Sequence, residues 1–452
     1  MANDPLPGLL KRASDELEAE FSPLPAFQPA LDWAAAEQVL IETAHRLGDN
    51  YPYFHPFYAG QMLKPPHPVA RAAYALAMSI NPNNHARDGG RASSAMEIEA
   101  VAEIARMFGW NQYLGHLTSS GTLANLEALW IAGQLAPGKR ILGSEQAHYT
   151  HKRISAVLKL EFEAVPADSR GRMDLNALEA RLGRGDVGAV VVTLGTTAIG
   201  AVDPLPEVLD FGERFGCRIH VDAAYGGYFR LVPEALEPAA RRAYEALTEA
   251  DSIVVDPHKH GLQPYGCGCV LFRDPAVGRF YKHDSPYTYF TSKELHLGEI
   301  SLECSRAGAA AVALWATQRL LPLQPGGEFA RGLSRGRAAA LELDRRVRAD
   351  PRFRALAGGP PELDIVVWNL HAASPHDSSD LAQRIFMACA LRNLHLALVQ
   401  LPRFWFEPLD VGVTANETVT CLRSVLMKPE HEEWLDRIWH EYLSACLDVQ
   451  RE

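Results

Sequence analysis

The stretch DSIVVDPHKHG, Asp251 to Gly261, runs from an apolar segment into Asp-Pro-His-Lys. The apolar part reads as a buried strand, which delivers Lys259 to the strand's end between two histidines. Lysine is rarely buried without a partner or a purpose, so the neighbouring strand ends should hold the explanation.

Outward from it, RILGS (140–144), FEAV (162–165), GAVVVTLG (188–195), CRIHVD (217–222) and CGCVLF (267–272) are further strand-like runs. Helical patterns at 122–135, 149–159, 174–182, 204–215 and 234–249 separate most of them. Continuous apolar strands joined by helices predict an α/β fold with a mostly parallel central sheet covered on both faces. Ligands of such sheets sit at the carboxyl ends of the strands, which gathers the segments after these runs around one crevice.

The flanks differ in character. Residues 26–115 carry aromatic and proline-rich text, YPYFHPFYAG and MLKPPHPVA, then a helix whose Met96, Ile98, Val101, Ile104, Ala105 and Phe108 fit one face. That helix is expected to pack, and to contribute to an oligomer contact. After LPLQPGGEF (321–329), a charged helix leads to two strand-like runs, LDIVVWNL (363–370) and TVTCLRSVLM (418–427). The expected division is an N-terminal segment (1–60), a large domain (61–325) and a smaller α+β domain (326–452), consistent with a chain of 452 residues.

Composition narrows the function. With 47% hydrophobic and 22% charged residues the chain reads as globular, and a formal charge of −11 with no basic face argues against nucleic acid as a partner. Residues 1–25 lack a secretory pattern, and the run Ala307–Gln318 is shorter than the roughly 20 residues that span a bilayer. A cytoplasmic protein with no membrane partner is expected. Seven cysteines without repeated spacing read as reduced thiols, and no metal site is expected; Cys267 and Cys269 read as small buried strand residues.

The strand ends carry chemistry in a fixed order. In HLTSSGTLANLEALW (116–130) a polar turn opens a helix, so backbone N–H groups with Ser120, Gly121 and Thr122 can hold an anion or simply cap the helix. His148 follows RILGS. Thr196 and Thr197 follow the next strand, and Asp222, with Ala224 close behind, ends CRIHVD. A buried carboxylate needs a cation, which nothing adjacent in sequence supplies. Asp222 and Lys259 could form an ion pair. The glycines 183, 185 and 188 match GxGxxG, but they lie between a helix and a strand, the reverse of the dinucleotide-binding order. Taken together, an anion site, a histidine, threonines, an aspartate and a lysine are what pyridoxal 5′-phosphate requires: a phosphate cradle, an anion for its ring nitrogen and an amine for its aldehyde.

The motifs TSSGTLAN, SEQAHYTHKR, LGTTAIGAVDPL, HVDAAYGG and DSIVVDPHKHGLQPYGCGCVLFRD resemble the group II pyridoxal-phosphate-dependent amino acid decarboxylases. The resemblance implies a fold of the aminotransferase type (fold type I), a homodimer with shared active sites, and release of CO2 and a primary amine from an L-amino acid. It makes Lys259 the Schiff-base lysine, Asp222 the partner of the ring nitrogen, His148 the residue stacked on the ring and Ala224 the one beneath it. Ser120, Gly121 and Thr122 would hold the phosphate, Thr197 would bond near the phenolic oxygen or the nearby carboxylate, and Asp256 and His258 would lie near the phosphate or imine. The family often has an acid where Leu123 stands. A mobile family loop with a proton-donating tyrosine corresponds to a short segment here, which makes Tyr287 or Tyr289 the candidate donor. Arg306, in ECSRAG, is a candidate for the phosphate or the dimer contact. Tyr53, His55, Phe57, Asn84 and His85 are candidate substrate contacts, and their aromatic content points to an aromatic or bulky side chain. The same cofactor residues would serve a carbon–carbon lyase, an aldolase or an aldehyde-forming amine oxidase, and a non-catalytic scaffold would need none of them.

Overall fold

The structure, a computed structural model, describes residues 5–27, 30–86, 89–282, 299–406 and 417–451. The chain begins with helices α1 (Leu6–Glu20), α2 (Trp33–Leu47), α3 (Pro68–Met78) and α4 (Arg91–Met107). Proline in the first turn of α1 removes only an N–H that has no helical partner, so the proline-broken text still forms a helix. Neither α1 nor α2 buries a residue.

The central unit alternates strand and helix: β1 (Leu114–Thr118), α5 (Gly121–Leu135), β2 (Arg140–Ser144), α6 (Thr150–Val157), β3 (Phe162–Val165), α7 (Leu175–Leu182), β4 (Val187–Thr193), α8 (Leu205–Phe215), β5 (Arg218–Asp222), α9 (Pro238–Glu245), β6 (Ser252–Val255) and β7 (Gly268–Phe272). These strands form one sheet in the order β1-β7-β6-β5-β4-β2-β3. Only β7 runs against the others, pairing antiparallel with both β1 and β6. Every residue of β4, β6 and β7 is buried, as expected where helices cover both faces.

Next come α10 (Gly308–Leu320), α11 (Glu328–Ala349), β8 (Phe353–Ala355), β9 (Ile365–Leu370), α12 (Pro375–Leu391), β10 (Ala397–Pro402), β11 (Thr418–Val425) and α13 (His431–Arg451). The four strands make an antiparallel sheet, β10-β11-β9-β8, two strands more than the apolar runs showed. β10 is an edge strand that ends in proline, a position where a missing N–H costs no ladder bond. α10 is the helix expected from the run Ala307–Gln318, and it packs on α3 and α4. Among the described residues no helix is long and apolar enough to cross a membrane.

Val101, Ile104, Ala105 and Phe108 are buried as expected, but the buried face of α4 extends further than the expected one. It runs through Ser93, Glu97, Ala100, Val101 and Ile104, while Ile98 is exposed. The reason is a buried polar pair: Arg306 Nη1 donates to Glu97 Oε1 at 2.7 Å, so an acid takes the core position that an aliphatic side chain was expected to hold.

Candidate active site

Five strand ends converge on one cavity of about 210 Å³. The turn from β1 into α5 supplies Ser120, Gly121 and Thr122, the segment after β2 supplies His148, and β4 with its following turn supplies Thr193, Gly195 and Thr197. From β5 come Asp222, Ala224 and Tyr225, and from the turn after β6 come Asp256, His258 and Lys259. Asn125 and Thr150 complete the wall. All but Asn125, Thr150, Thr193, Gly195 and Tyr225 were named from the sequence, with Ala224, Asp256 and His258 given their roles by the family resemblance. Thr196 is the exception on the other side: its hydroxyl accepts from Ala201 N at 2.9 Å and closes its own turn.

The charges pair differently from the ion pair that sequence allowed. Asp222 does not hold Lys259. Its Oδ2 lies 2.8 Å from His151 Nε2 and its Oδ1 accepts from Ala224 N at 3.1 Å. Burial opposes the charge on Asp222, but the His151 hydrogen bond, the nearby Lys259 and the Ala224 N–H hold its carboxyl well below the usual range. Lys259 Nζ lies 3.1 Å from Asp256 Oδ2, and His258 Nε2 is 3.6 Å from the same oxygen. Burial, the larger effect, pushes His148 below its ordinary pKa, so its imidazole is neutral near pH 7.

The second sheet closes the site from outside. Arg423 of β11 donates from Nη2 to the Thr197 carbonyl at 2.7 Å and from Nε to the Ala198 carbonyl at 3.0 Å. Its Nη1 reaches the Gly60 carbonyl at 3.2 Å, which ties the N-terminal segment to the same turn. Tyr225 donates to Asp364 Oδ1 at 2.5 Å, and His260 Nε2 lies 3.3 Å from Asp364 Oδ2.

The residues present fit pyridoxal phosphate. At the start of α5 the Ser120 hydroxyl accepts from Leu123 N at 3.2 Å, while the Gly121 and Thr122 N–H groups, both on the cavity wall, have no partner within the helix. Asp256 Oδ1 and Thr193 Oγ1 are buried without a hydrogen-bond partner among the described residues, so the wall has polar capacity to spare. Gly195 needs its lack of a side chain, because its φ is +99°. Gly121 needs it for space: a Cβ there would stand 2.5 Å from both Asp256 carboxylate oxygens. Gly121→Ala is therefore expected to displace Asp256 and weaken pyridoxal phosphate binding by about tenfold or more, measured by equilibrium dialysis, with the folded apoprotein retained.

Other candidates stand elsewhere. Asn84 and Arg306 are spent on the buried Glu97 cluster: Asn84 Nδ2 donates to Glu97 Oε2 at 2.6 Å, and Arg306 also reaches the carbonyls of Leu117 and Asn84. His55 and Phe57 pack on Trp434 of α13, and His85 packs beside Gly89. Tyr53 belongs to a ring cluster with Tyr51 and Tyr58, at 4.8 Å from the latter. Tyr287 and Tyr289 lie outside the described residues. His151 escaped the sequence reading altogether; its spacing, three residues after His148 in HYTH, was the available signal.

A lysine, a buried carboxylate and a helix-start anion cradle at the carboxyl ends of a fold type I sheet define a pyridoxal-phosphate enzyme. The family model described as the pyridoxal-dependent decarboxylase conserved domain matches residues 50–371, and the chain belongs to that family. It is a pyridoxal-phosphate-dependent carboxy-lyase. A probable L-tyrosine/L-aspartate decarboxylase of Methanothermobacter thermautotrophicus is 28% identical over 364 residues, 78% of this chain and 94% of the relative. The L-tyrosine decarboxylase of Enterococcus faecium is also 28% identical, over 64% of each chain. In fold the chain is similar to the crystal structure of mouse CSAD, with a TM-score of 0.77, 22% identity and coverage of 95% of this chain and 92% of that one. It is likewise similar to Oryza sativa TDC with PLP and tryptamine, at a TM-score of 0.78, 17% identity and coverage of 99% and 98%.

Proposed function

We propose that this chain decarboxylates an L-amino acid with an aromatic or other bulky side chain, using Lys259, Asp222 and His148 around the cofactor. The carrying observation is the meeting of these three side chains with the Ser120–Thr122 helix start in one cavity. When bound, pyridoxal phosphate supplies an aldehyde that links to an amine and a ring that accepts the electrons left by departing CO2. Lys259 is the amine that holds it. Asp222, anionic across working pH, would keep a proton on the ring nitrogen, and Ser120, Gly121 and Thr122 would hold the phosphate. Neutral His148 would cover one ring face, with Ala224 on the other and Thr197 bonding at the ring edge. Asp256 and His258 set the position of the Lys259 amine. Return of a proton to the substrate carbon is assigned to Tyr287 or Tyr289.

An aromatic rim supports the substrate class. The Tyr265 ring lies 4.9 Å from that of His258 on the cavity wall. Burial raises the Tyr265 pKa, and Asp256 and Tyr53 raise it further. Relatives named tyrosine decarboxylases agree, and those named aspartate decarboxylases define the competing class. The test is kcat/KM for L-tyrosine, L-tryptophan, L-aspartate and L-glutamate. An aromatic preference of about tenfold or more is expected from apolar contact; a preference for aspartate or glutamate would overturn the substrate class and leave the decarboxylase.

A cytoplasmic homodimer completes the reading. α2 buries nothing of its own chain, and Trp33, Val39, Leu40, Ile41 and Leu47 stand exposed along it. Such a stripe is unusual on a monomer, and a second copy is the occupant that the family resemblance supplies. Placing Glu at both Leu40 and Ile41 should halve the mass measured by sedimentation and lower activity with it; an unchanged mass would remove α2 from the interface.

A further inference from the structure

We propose that His151 is a positioning residue for Asp222: it holds the carboxylate in one orientation and one protonation state, and through it governs the protonation of the cofactor ring. The inference rests on Asp222 being the ring-nitrogen partner. His151 is the second residue of α6, fully buried, and not itself on the cavity wall. It therefore acts through Asp222, not on substrate.

The geometry leaves Asp222 little freedom. One oxygen is taken by the Ala224 N–H and the other by His151 Nε2, so the carboxylate cannot turn without leaving a buried donor unsatisfied. His151 Nδ1 is buried and has no partner among the described residues. A proton there would be a buried donor without an acceptor, which assigns the tautomer with hydrogen on Nε2. In that state the His151–Asp222 pair carries one full negative charge, as a protonated ring nitrogen requires. The surroundings preserve it. His220 of β5, with its ring 6.4 Å away, is fixed between Ser252 Oγ at 2.9 Å and Asn125 Oδ1 at 2.8 Å. Burial drives His220 down to about 3, so it adds no positive charge. His148, Lys259 and Asp256 are the other titratable groups near the pair.

The test compares His151→Gln, His151→Asn, His151→Leu and Asp222→Asn. Glutamine places an N–H donor near the Nε2 position, whereas asparagine places it near Nδ1, too short to reach Asp222. Four readouts are taken: pyridoxal phosphate affinity, the pH titration of the visible absorbance of the loaded protein, kcat with KM, and thermal unfolding of the apoprotein. Losing one hydrogen bond to a buried charge should weaken cofactor binding by about tenfold to hundredfold in the Asn and Leu variants. The absorbance titration should move by about one pH unit, and kcat should fall with KM nearly unchanged. His151→Gln should recover most of each effect, while apoprotein unfolding stays alike in Gln and Asn. The proposal fails if Gln and Asn behave alike, or if Leu keeps the wild-type titration and affinity while Asp222→Asn loses both. A neutral Asp222→Asn would overturn the Asp222 role and this inference with it.

Discussion

Lys259→Ala should lower decarboxylation by about 10⁴-fold or more and abolish the visible absorbance of the lysine-bound cofactor, because no other amine lines the cavity among the described residues. The variant should still fold. Lys259 is an end-of-strand residue whose one close ionic partner among the described residues is Asp256, at 3.1 Å, and its own side chain retains partial exposure. Removing it frees Asp256, which keeps His258 at 3.6 Å. Apoprotein unfolding is therefore expected to change little while chemistry collapses. Retained absorbance with retained activity would assign the amine to another lysine.

Asp222→Asn should cost about 10³-fold in kcat, with near-normal folding, since the amide has the carboxylate's shape but not its charge. Asp222 is ionised well below the usual carboxylate range despite its burial. Its folded pKa lies under its unfolded value, so it contributes stability above the ordinary carboxylate pKa, and that contribution disappears as pH falls through the lower folded value. The Asn variant should lose this acid-side dependence of unfolding. Equal pH dependence in the two proteins would show that the His151 contact does not hold the charge.

Much of this was legible because the central strands are buried on both faces and punctuated by the residues that carry chemistry. VVVT at 190–193, IHVD at 219–222 and IVVD at 253–256 announce strands by their apolar runs and the site by what ends them. Asp222's partner was not legible. His151 is one turn past the rim on α6, and only the packing of α6 against the sheet brings it to β5, a relation between elements far apart in the chain. The same holds for Arg423, whose guanidinium crosses from the second sheet to the Thr197 turn. Strand β8 escaped because it is only three residues long, and β10, ALVQLP, was passed over although its text is apolar. On α4, Glu97 was left off the buried face and Ile98 put on it because a buried Glu97–Arg306 pair looks polar in sequence.

The most direct test of the account is the position of the cofactor amine after borohydride reduction of the loaded protein, read by peptide mass spectrometry. The comparison is a demanding one, because two other lysines have lowered pKa values: desolvation brings Lys64 to about 8 and Lys428 to about 7, which makes both amines nucleophilic near neutral pH. The predicted result is a pyridoxyl adduct on the peptide containing Lys259 and on neither of the others. An adduct on Lys64 or Lys428, or on no lysine at all, would contradict the assignment of the cavity at the ends of β1, β2, β4, β5 and β6.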